Sequence, residues 1–415
     1  MSDPTSSNDI FLQQLTAHLK REKYDCVVVQ NYTAAVKRFL QYLGRNRVAV
    51  DCVQCADVEC YLTALRFCQT YRKRGRVSNG LRKLHRSAIH MLMRVVHGQW
   101  PIPQPLITEC EVLHSQIIRG YDAWMSDLRG LATETRSDRR AEAGRFLKWL
   151  GESGGKNQPA ALTIADIDAY VQWRGAPVRR TSRKSITVNL RSFLRHLHFT
   201  GIIERDLSTA VIGPTLYAYE DIPSALRAED VQKALKVTRR DRSAIGRRDY
   251  AILMLLSTYG LRAGEITSLR LEDIDWRRSR VHVRHSKTGV HSLLPLLSGP
   301  GEAILEYLRD GRPETGLREL FIRSRAPYRA FASGSSLYTP IRRRLAMAGV
   351  TPAGKKGPHA FRHARAVTLL RSKVPLKLIG DVLGHRSTHS TGAYLKLATE
   401  DLRSVALEVP TEVQP

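Results

Sequence analysis

An apolar motif with helical spacing, RFLQYLG at Arg38–Gly44, returns as RFLKWLG at Arg145–Gly151, 107 residues on. A second element keeps the register: ADVECYL begins at Ala56 and ADIDAYV at Ala165, an offset of 109. Each is followed by a basic, apolar-periodic stretch, LHRSAIHMLMRVVHGQW from Leu84 and SITVNLRSFLRHLHFTG from Ser185. Apolar residues recurring every three and four positions line one face of a helix and would fall on both faces of a strand. A helical pattern of this length occurring twice predicts a duplicated helical domain of four or five helices per copy rather than a solenoid.

In the second copy Val112, Ile117, Tyr121, Trp124 and Leu128 fit one helical stripe, and Thr163 with Asp166 three residues on forms a capping box. Basic clusters stand on both copies: Arg72, Lys73, Arg74 and Arg76 in the first, Arg179, Arg180, Arg183 and Lys184 in the second. They matter because the 415-residue chain carries 66 Lys and Arg against 39 acids, a formal charge of +27. A field of that sign draws in polyanions, with DNA or RNA the first candidate, and clustered basic side chains become plausible phosphate contacts. No run of about 18 apolar residues occurs, so no membrane-spanning helix is expected. The start, MSDPTSSND, has neither a basic region nor an apolar one of the secretory kind, so the protein is expected in the cytoplasm. The six cysteines, Cys26, Cys52, Cys55, Cys60, Cys68 and Cys110, are then expected as thiols. Cys52-x-x-Cys55 lacks a second pair at zinc-finger spacing and is read as buried helix cysteines.

The stretch RDLSTAVIGPTLYAYEDIPSAL, Arg205 to Leu226, has two prolines, a glycine and no helical period, and reads as a linker. Beyond it, Glu229–Leu235 predicts a helix and Tyr250–Leu256 a helix buried on nearly all sides, with Gly260 as its C-cap. RVHVRHSKTGVHSLLPL alternates as two strands around Lys287-Thr288-Gly289, a hairpin signal. From Gly301 to about Leu407 the pattern is mainly helical. His285 and His291 on the hairpin are read as strand-surface residues, and His363 and His389 as surface or structural.

Within this unit His359 and Arg362 lie three apart at a helix start marked by Pro358, and Tyr394 follows His385 by nine residues. Arg262 and Lys287 stand upstream. Two arginines, a lysine and two histidines suit a phosphodiester whose charge grows in the transition state. Arginine forks grip two phosphate oxygens and stay charged. A tyrosine hydroxyl can attack phosphorus and conserve the bond energy in a covalent phosphoenzyme, and Lys or His can protonate the leaving oxygen. No carboxylate cluster of two-metal spacing accompanies them, so no metal or other cofactor is required.

These residues resemble the tyrosine recombinase (phage integrase) family. TYGLRAGEITSLRLEDID resembles its first arginine box, with Arg262 and the supporting acid Glu265. HSKTG resembles the hairpin lysine box, with Lys287; HAFRHARA the His-x-x-Arg box, with His359 and Arg362; LGHRSTHSTGAYLKL the last box, with His385 and the nucleophile Tyr394. All six positions agree in order and spacing over roughly residues 222–400.

The resemblance implies a mainly α chain, helical DNA-binding domains followed by an α+β catalytic domain with a small antiparallel sheet. The divisions expected are residues 1–105, a helical domain duplicating the core-binding one; 110–205, the SAM-like core-binding domain; 206–222, the linker; 223–400, the catalytic domain; and 401–415, a C-terminal tail that packs on its own domain or on a neighbouring protomer. It also implies a site-specific recombinase of the integrase or transposase type, cutting duplex DNA through a 3′-phosphotyrosyl bond without ATP or metal. Partners would be specific recombination sites, a homotetramer on DNA and related recombinases, as in transposon-borne groups. The competing readings are a non-cleaving DNA-binding accessory protein of the same fold and a type IB topoisomerase, and the presence of all six positions favours the enzyme.

Overall fold

The computed structural model describes residues 4–65, 79–102, 108–152, 158–217, 225–285, 289–352 and 354–384. The chain divides into two compact units, Pro103–Glu220 in one and Met1–Ile102 with Asp221–Pro415 in the other. Three large hydrophobic clusters, with no residue in common, form the interior.

The repeated sequence pattern folds into repeated contacts. The first copy supplies α1 (Pro4–Arg21), α2 (Cys26–Arg45), α3 (Cys55–Ala64) and α4 (Asn79–His97). The second supplies α5 (Glu109–Ala123), which runs on as a π-helical turn over Trp124–Leu128, then α6 (Thr133–Glu152), α7 (Ile164–Gly175) and α8 (Arg180–Phe199). In the first copy Phe39 meets Tyr61 edge to face, with ring centroids 5.1 Å apart. At the equivalent positions of the second, Phe146 meets Tyr170 in the same way at 4.9 Å. Tyr42 lies 5.3 Å from Tyr61, and Trp149 lies 5.4 Å from Tyr170. Both third helices start from a capping box closed by an aspartate, Asp57 on Gln54 and Asp166 on Thr163, which satisfies N–H groups that a helix start leaves orphaned. The fourth helices bury corresponding positions: His85, Ile89, Leu92 and Met93 on α4, and Ile186, Leu190, Phe193 and Leu194 on α8.

Each copy also buries a histidine. His85 approaches the Tyr61 hydroxyl at 3.0 Å through Nδ1, and His196 sits among Tyr121 and Trp124 with Nδ1 unpartnered among the described residues. Burial lowers both to about 4, with the Arg38 charge adding to the effect at His85. The unfolded chain therefore takes up protons below about pH 6.5, and the folded chain resists until about pH 4. Stability contributed by each neutral ring is full above pH 6.5, falls across that window and levels off below it, a loss of roughly 2–3 kcal/mol per histidine at the acid end. We expect His196→Leu, which keeps the volume and forfeits no hydrogen bond at Nδ1, to flatten the decline of the melting temperature between pH 6.5 and 4.5.

Three expectations change here. The cysteines are not buried: α3 turns Val58, Tyr61 and Leu62 inward, so Cys60 faces out, Cys55 stands at the helix start and Cys52 in the turn before it, all exposed thiols like Cys26. Cys68 lies outside the described residues. On α5 and its extension, Ile117 and Tyr121 are buried, whereas Val112 and Leu128 at the two ends of the predicted stripe are exposed. The first part of the stretch read as a linker is also ordered against α8. Leu207–Ala210 forms a 3-10 turn, Val211 is buried in the second copy's core, and Arg191 and Arg180 donate to the carbonyls of Val211 and Thr215. The rest, residues 218–224, lies outside the described residues.

After the linker come α9 (Ala228–Arg239), α10 (Ala244–Tyr259) and α11 (Ala263–Ser268). Then follow β1 (Ile274–Asp275), β2 (Arg280–His285) and β3 (Val290–Pro295), an antiparallel sheet in that order. Helices α12 (Ser298–Asp310), α13 (Tyr338–Met347), α14 (Pro358–Arg371) and α15 (Leu376–Leu383) complete the described part. The mainly helical chain with a small antiparallel sheet is thus the fold observed. Helix α10 is the central rod: the Ser243 hydroxyl caps its start, Ala251, Ile252, Leu253, Leu255 and Leu256 are all buried, and Gly260 ends it at φ 66°. A buried ion network pins it. Arg344 of α13 donates through Nε to Asp249 at 2.8 Å and through Nη1 to Asp241 at 2.7 Å, which pairs a guanidinium that could not be buried alone.

Candidate active site

Arg262 sits at the turn between α10 and α11, where Gly260 reverses the chain. Glu265, one turn into α11, accepts the Arg262 backbone N–H at 2.7 Å on Oε2 and the guanidinium Nη1 at 2.7 Å on Oε1. The backbone bond fixes the carboxylate and the carboxylate fixes the arginine. The other terminal nitrogen, Nη2, donates to the carbonyl of Gly384 at 3.1 Å.

Arg362 arrives from α14 and is buried. Its Nη1 donates to the Gly260 carbonyl at 2.8 Å and its Nη2 to the Leu383 carbonyl at 2.6 Å. The two arginines therefore converge on consecutive carbonyls, Leu383 and Gly384, at the end of α15. That end is left-handed: Gly384 has φ 61°. His359, one turn before Arg362, is exposed at the start of α14, its ring 6.4 Å from that of His363, and His363 Nε2 lies 3.5 Å from Lys355 Nζ. Lys287, His385, Tyr394 and the neighbouring His389 lie outside the described residues, as does the tail.

Glu265 itself is buried. Burial is the largest effect and pushes its carboxyl up, but hydrogen bonds from His285, the Arg262 N–H and the Arg262 guanidinium together outweigh it and hold the carboxyl below its ordinary value. Its contribution is present above the ordinary carboxylate range and is lost only as pH falls through the lowered value.

His285 is where the sequence reading fails. It is a core residue: Nδ1 lies 2.7 Å from Glu265 Oε1 and Nε2 lies 2.9 Å from Ser292 Oγ. The signal was present, since β2 alternates strictly and His285 shares the inward face with Val281 and Val283. His291 is exposed as expected and stacks on His282 across the hairpin. The ring of His285 also packs on the α15 end, where a Cβ added to Gly384 would lie 2.6 Å from it. Gly384→Ala meets both that ring and a left-handed backbone. It is expected to cost at least about 1–2 kcal/mol from the backbone alone, read as a shifted urea midpoint.

Of the proposed DNA-contacting residues, Arg179 is exposed and Lys184 half-buried at the start of α8. Arg183 donates to the carbonyl of Gly175 at 2.7 Å and Arg180 to that of Thr215 at 2.6 Å, so part of each guanidinium is committed within the protein. Among the described residues no three His, Cys, Asp or Glu side chains gather as a metal site, and no helix is long and apolar enough to cross a membrane.

Residues 224–401 match the phage integrase family. The Sinorhizobium fredii protein that carries the name integrase/recombinase y4rA is 37% identical over 334 residues, covering 79% of this chain and 79% of its own length. The chain belongs to the phage integrase family. Tyrosine recombinase XerC of Rhodospirillum centenum is 29% identical to this integrase-family chain, over 71% of it and 87% of XerC. The crystal structure of the XerH site-specific recombinase, a post-cleavage complex on its palindromic difH substrate, superposes with a TM-score of 0.56 at 14% identity. It covers 73% of this chain and 97% of that one, and shares the arrangement of an N-terminal helical domain and a C-terminal catalytic domain. This integrase-family protein is a tyrosine recombinase, an enzyme of site-specific DNA recombination.

Proposed function

We propose that Tyr394 attacks the scissile phosphate of duplex DNA, leaving a 3′-phosphotyrosyl bond and a free 5′-hydroxyl. The attack of a 5′-hydroxyl from another strand then reverses the chemistry, so no ATP is consumed. Arg262 and Arg362 hold the non-bridging oxygens, where charge builds up. Glu265 orients Arg262, Lys287 protonates the leaving 5′ oxygen, His385 donates a hydrogen bond to the phosphate, and His359 moves the proton at Tyr394. The observation that carries this reading is the convergence of Arg262 and Arg362 on Leu383 and Gly384, immediately before His385 and ten residues before Tyr394. A guanidinium carries five N–H donors in a fixed fork, a geometry that matches phosphate oxygens.

Residues 110–205 contact the duplex through Arg179, Arg180, Arg183 and Lys184, and residues 223–400 carry the chemistry. Four protomers act on two duplexes, joined by related recombinases where the element carries them, as in transposition. The test is incubation with a nicked duplex carrying the recombination site, followed by a denaturing gel. A covalent protein–DNA band that retains label from the strand 5′ of the cut, with the released 5′ end open to phosphorylation by a kinase, supports the assignment. A band carrying the opposite strand fragment overturns it.

A further inference from the structure

Strand β2 turns Val281, Val283 and His285 inward, so Arg280, His282 and Arg284 face outward. Register puts Leu293 opposite His282 and His291 opposite Arg284, which makes His282 and His291 diagonal neighbours on that outward face. Their rings stack with centroids 5.3 Å apart and planes 29° apart. His291 Nδ1 lies 3.3 Å from His282 Nε2. Solvent reaches both rings, since His291 is exposed and the His282 side chain is 40% exposed.

That nitrogen spacing has a second use besides the stacked contact. Imidazole binds zinc at about 2.0–2.1 Å, so two nitrogens 3.3 Å apart subtend about 104–111° at a shared ion, the tetrahedral range. A neutral pair shares one proton between the facing nitrogens, and a metal ion replaces it once each ring carries its own proton on the outer nitrogen. For His282 the outer nitrogen is Nδ1, and Asp273 Oδ1 lies 4.0 Å from it. A carboxylate behind a ligand ring favours the proton on that side and makes the inner nitrogen a better donor to metal. Nearby positive charge is offset. Arg284 is paired with Asp273 Oδ2, and Arg280 is exposed, where water and salt screen it.

We propose that His282 and His291 form a zinc site on the outer face of the β2–β3 hairpin, two imidazole ligands completed to a tetrahedron by water. Imidazole selects borderline divalent ions, whereas magnesium and calcium want oxygen ligands and do not compete. With two protein ligands the site loads and empties with the zinc around it, and when loaded it ties β2 to β3. It takes no part in phosphoryl transfer and does not depend on the recombinase mechanism.

The test is calorimetric titration of zinc chloride into the full chain, its thiols first capped with iodoacetamide because exposed cysteines also bind zinc. One zinc equivalent should be weakened about 10-fold or more in His282→Phe, and equally in His291→Phe, since losing a ligand costs at least as much as losing an outer partner. Phenylalanine keeps a ring in the stack and removes the nitrogens, so zinc-free melting of each variant should match wild type. If a phenylalanine variant melts early, His282→Gln and His291→Gln give the same reading without adding apolar surface. Magnesium chloride at the same concentration should release no heat from this site. A wild-type chain that binds no zinc after capping would overturn the proposal, as would zinc binding that both variants leave unchanged. Loss in only one of the two variants would assign the ion to other ligands and overturn it as well.

Discussion

Tyr394→Phe is expected to abolish the covalent protein–DNA adduct while leaving duplex affinity within about twofold of wild type, as for a change that removes no phosphate contact of the basic surface. The substitution deletes one oxygen and keeps the ring, so on the proposed assignment it removes only the attacking atom. With no hydroxyl there is no atom to bond to phosphorus, and loss should extend to the detection limit rather than to a reduced rate. Adduct on a nicked duplex, read by denaturing electrophoresis beside a mobility-shift titration at fixed salt, measures both halves of this expectation. Adduct that persists in the Phe variant would move the nucleophile to another residue. A simultaneous loss of binding would mean that Tyr394 acts in holding DNA.

Arg362→Lys is expected to be nearly as damaging to cleavage as Arg362→Ala, a loss of about 100- to 1000-fold in single-turnover rate. The reason is geometric. Arg362 reaches two carbonyls, Gly260 and Leu383, that approach it from different elements. A planar guanidinium fork meets the two carbonyls from two separate nitrogens, whereas the three donors of an ammonium radiate from one nitrogen and cannot reproduce that geometry. Each buried carbonyl left unpaired costs about 1–3 kcal/mol, so the Ala variant should also unfold at lower urea. Arg262 offers the internal comparison. Its side chain is 19% exposed, and one of its bonds goes to a carboxylate that a lysine also satisfies. Arg262→Lys should therefore lose cleavage with little loss of stability. Equal destabilisation by the two lysine variants would show that burial of Arg362 is not what distinguishes them.

Much of this was legible in the sequence because the relevant signal was local. The 3.6-residue period marked helical stretches in both copies, the Thr163–Asp166 spacing gave a cap, Gly260 gave a helix end, and alternation around Lys287-Thr288-Gly289 gave the hairpin. Glu265 was expected beside Arg262 from the family resemblance, and the capping geometry at the start of α11 supplies the physical reason. Other contacts had no local signature. Arg344 stands in IRRRLAM beside the exposed Arg342 and Arg343, and only Asp241 and Asp249, about a hundred residues earlier, decide which of the three is buried. His285 was misjudged for a related reason. Its inward direction followed from alternation, but a histidine is tolerated inside only where two polar partners await it, and these come from α11 and β3. The cysteines erred the other way, since a preference of cysteine for interiors was applied without asking which face of α3 the apolar residues occupy.

The paired rings of the two helical copies have a consequence for how such a chain changes over generations. Each copy closes its own interior, so selection for folding acts on Phe39 and Tyr61 independently of Phe146 and Tyr170, and nothing obliges the two exteriors to stay alike. Their charge balances differ. Residues 1–102 hold sixteen Lys and Arg against seven acids, and residues 103–220 hold sixteen against thirteen. The ring contacts recur in both helical sets while the charge balance does not, so the two present fields of different strength to a polyanion.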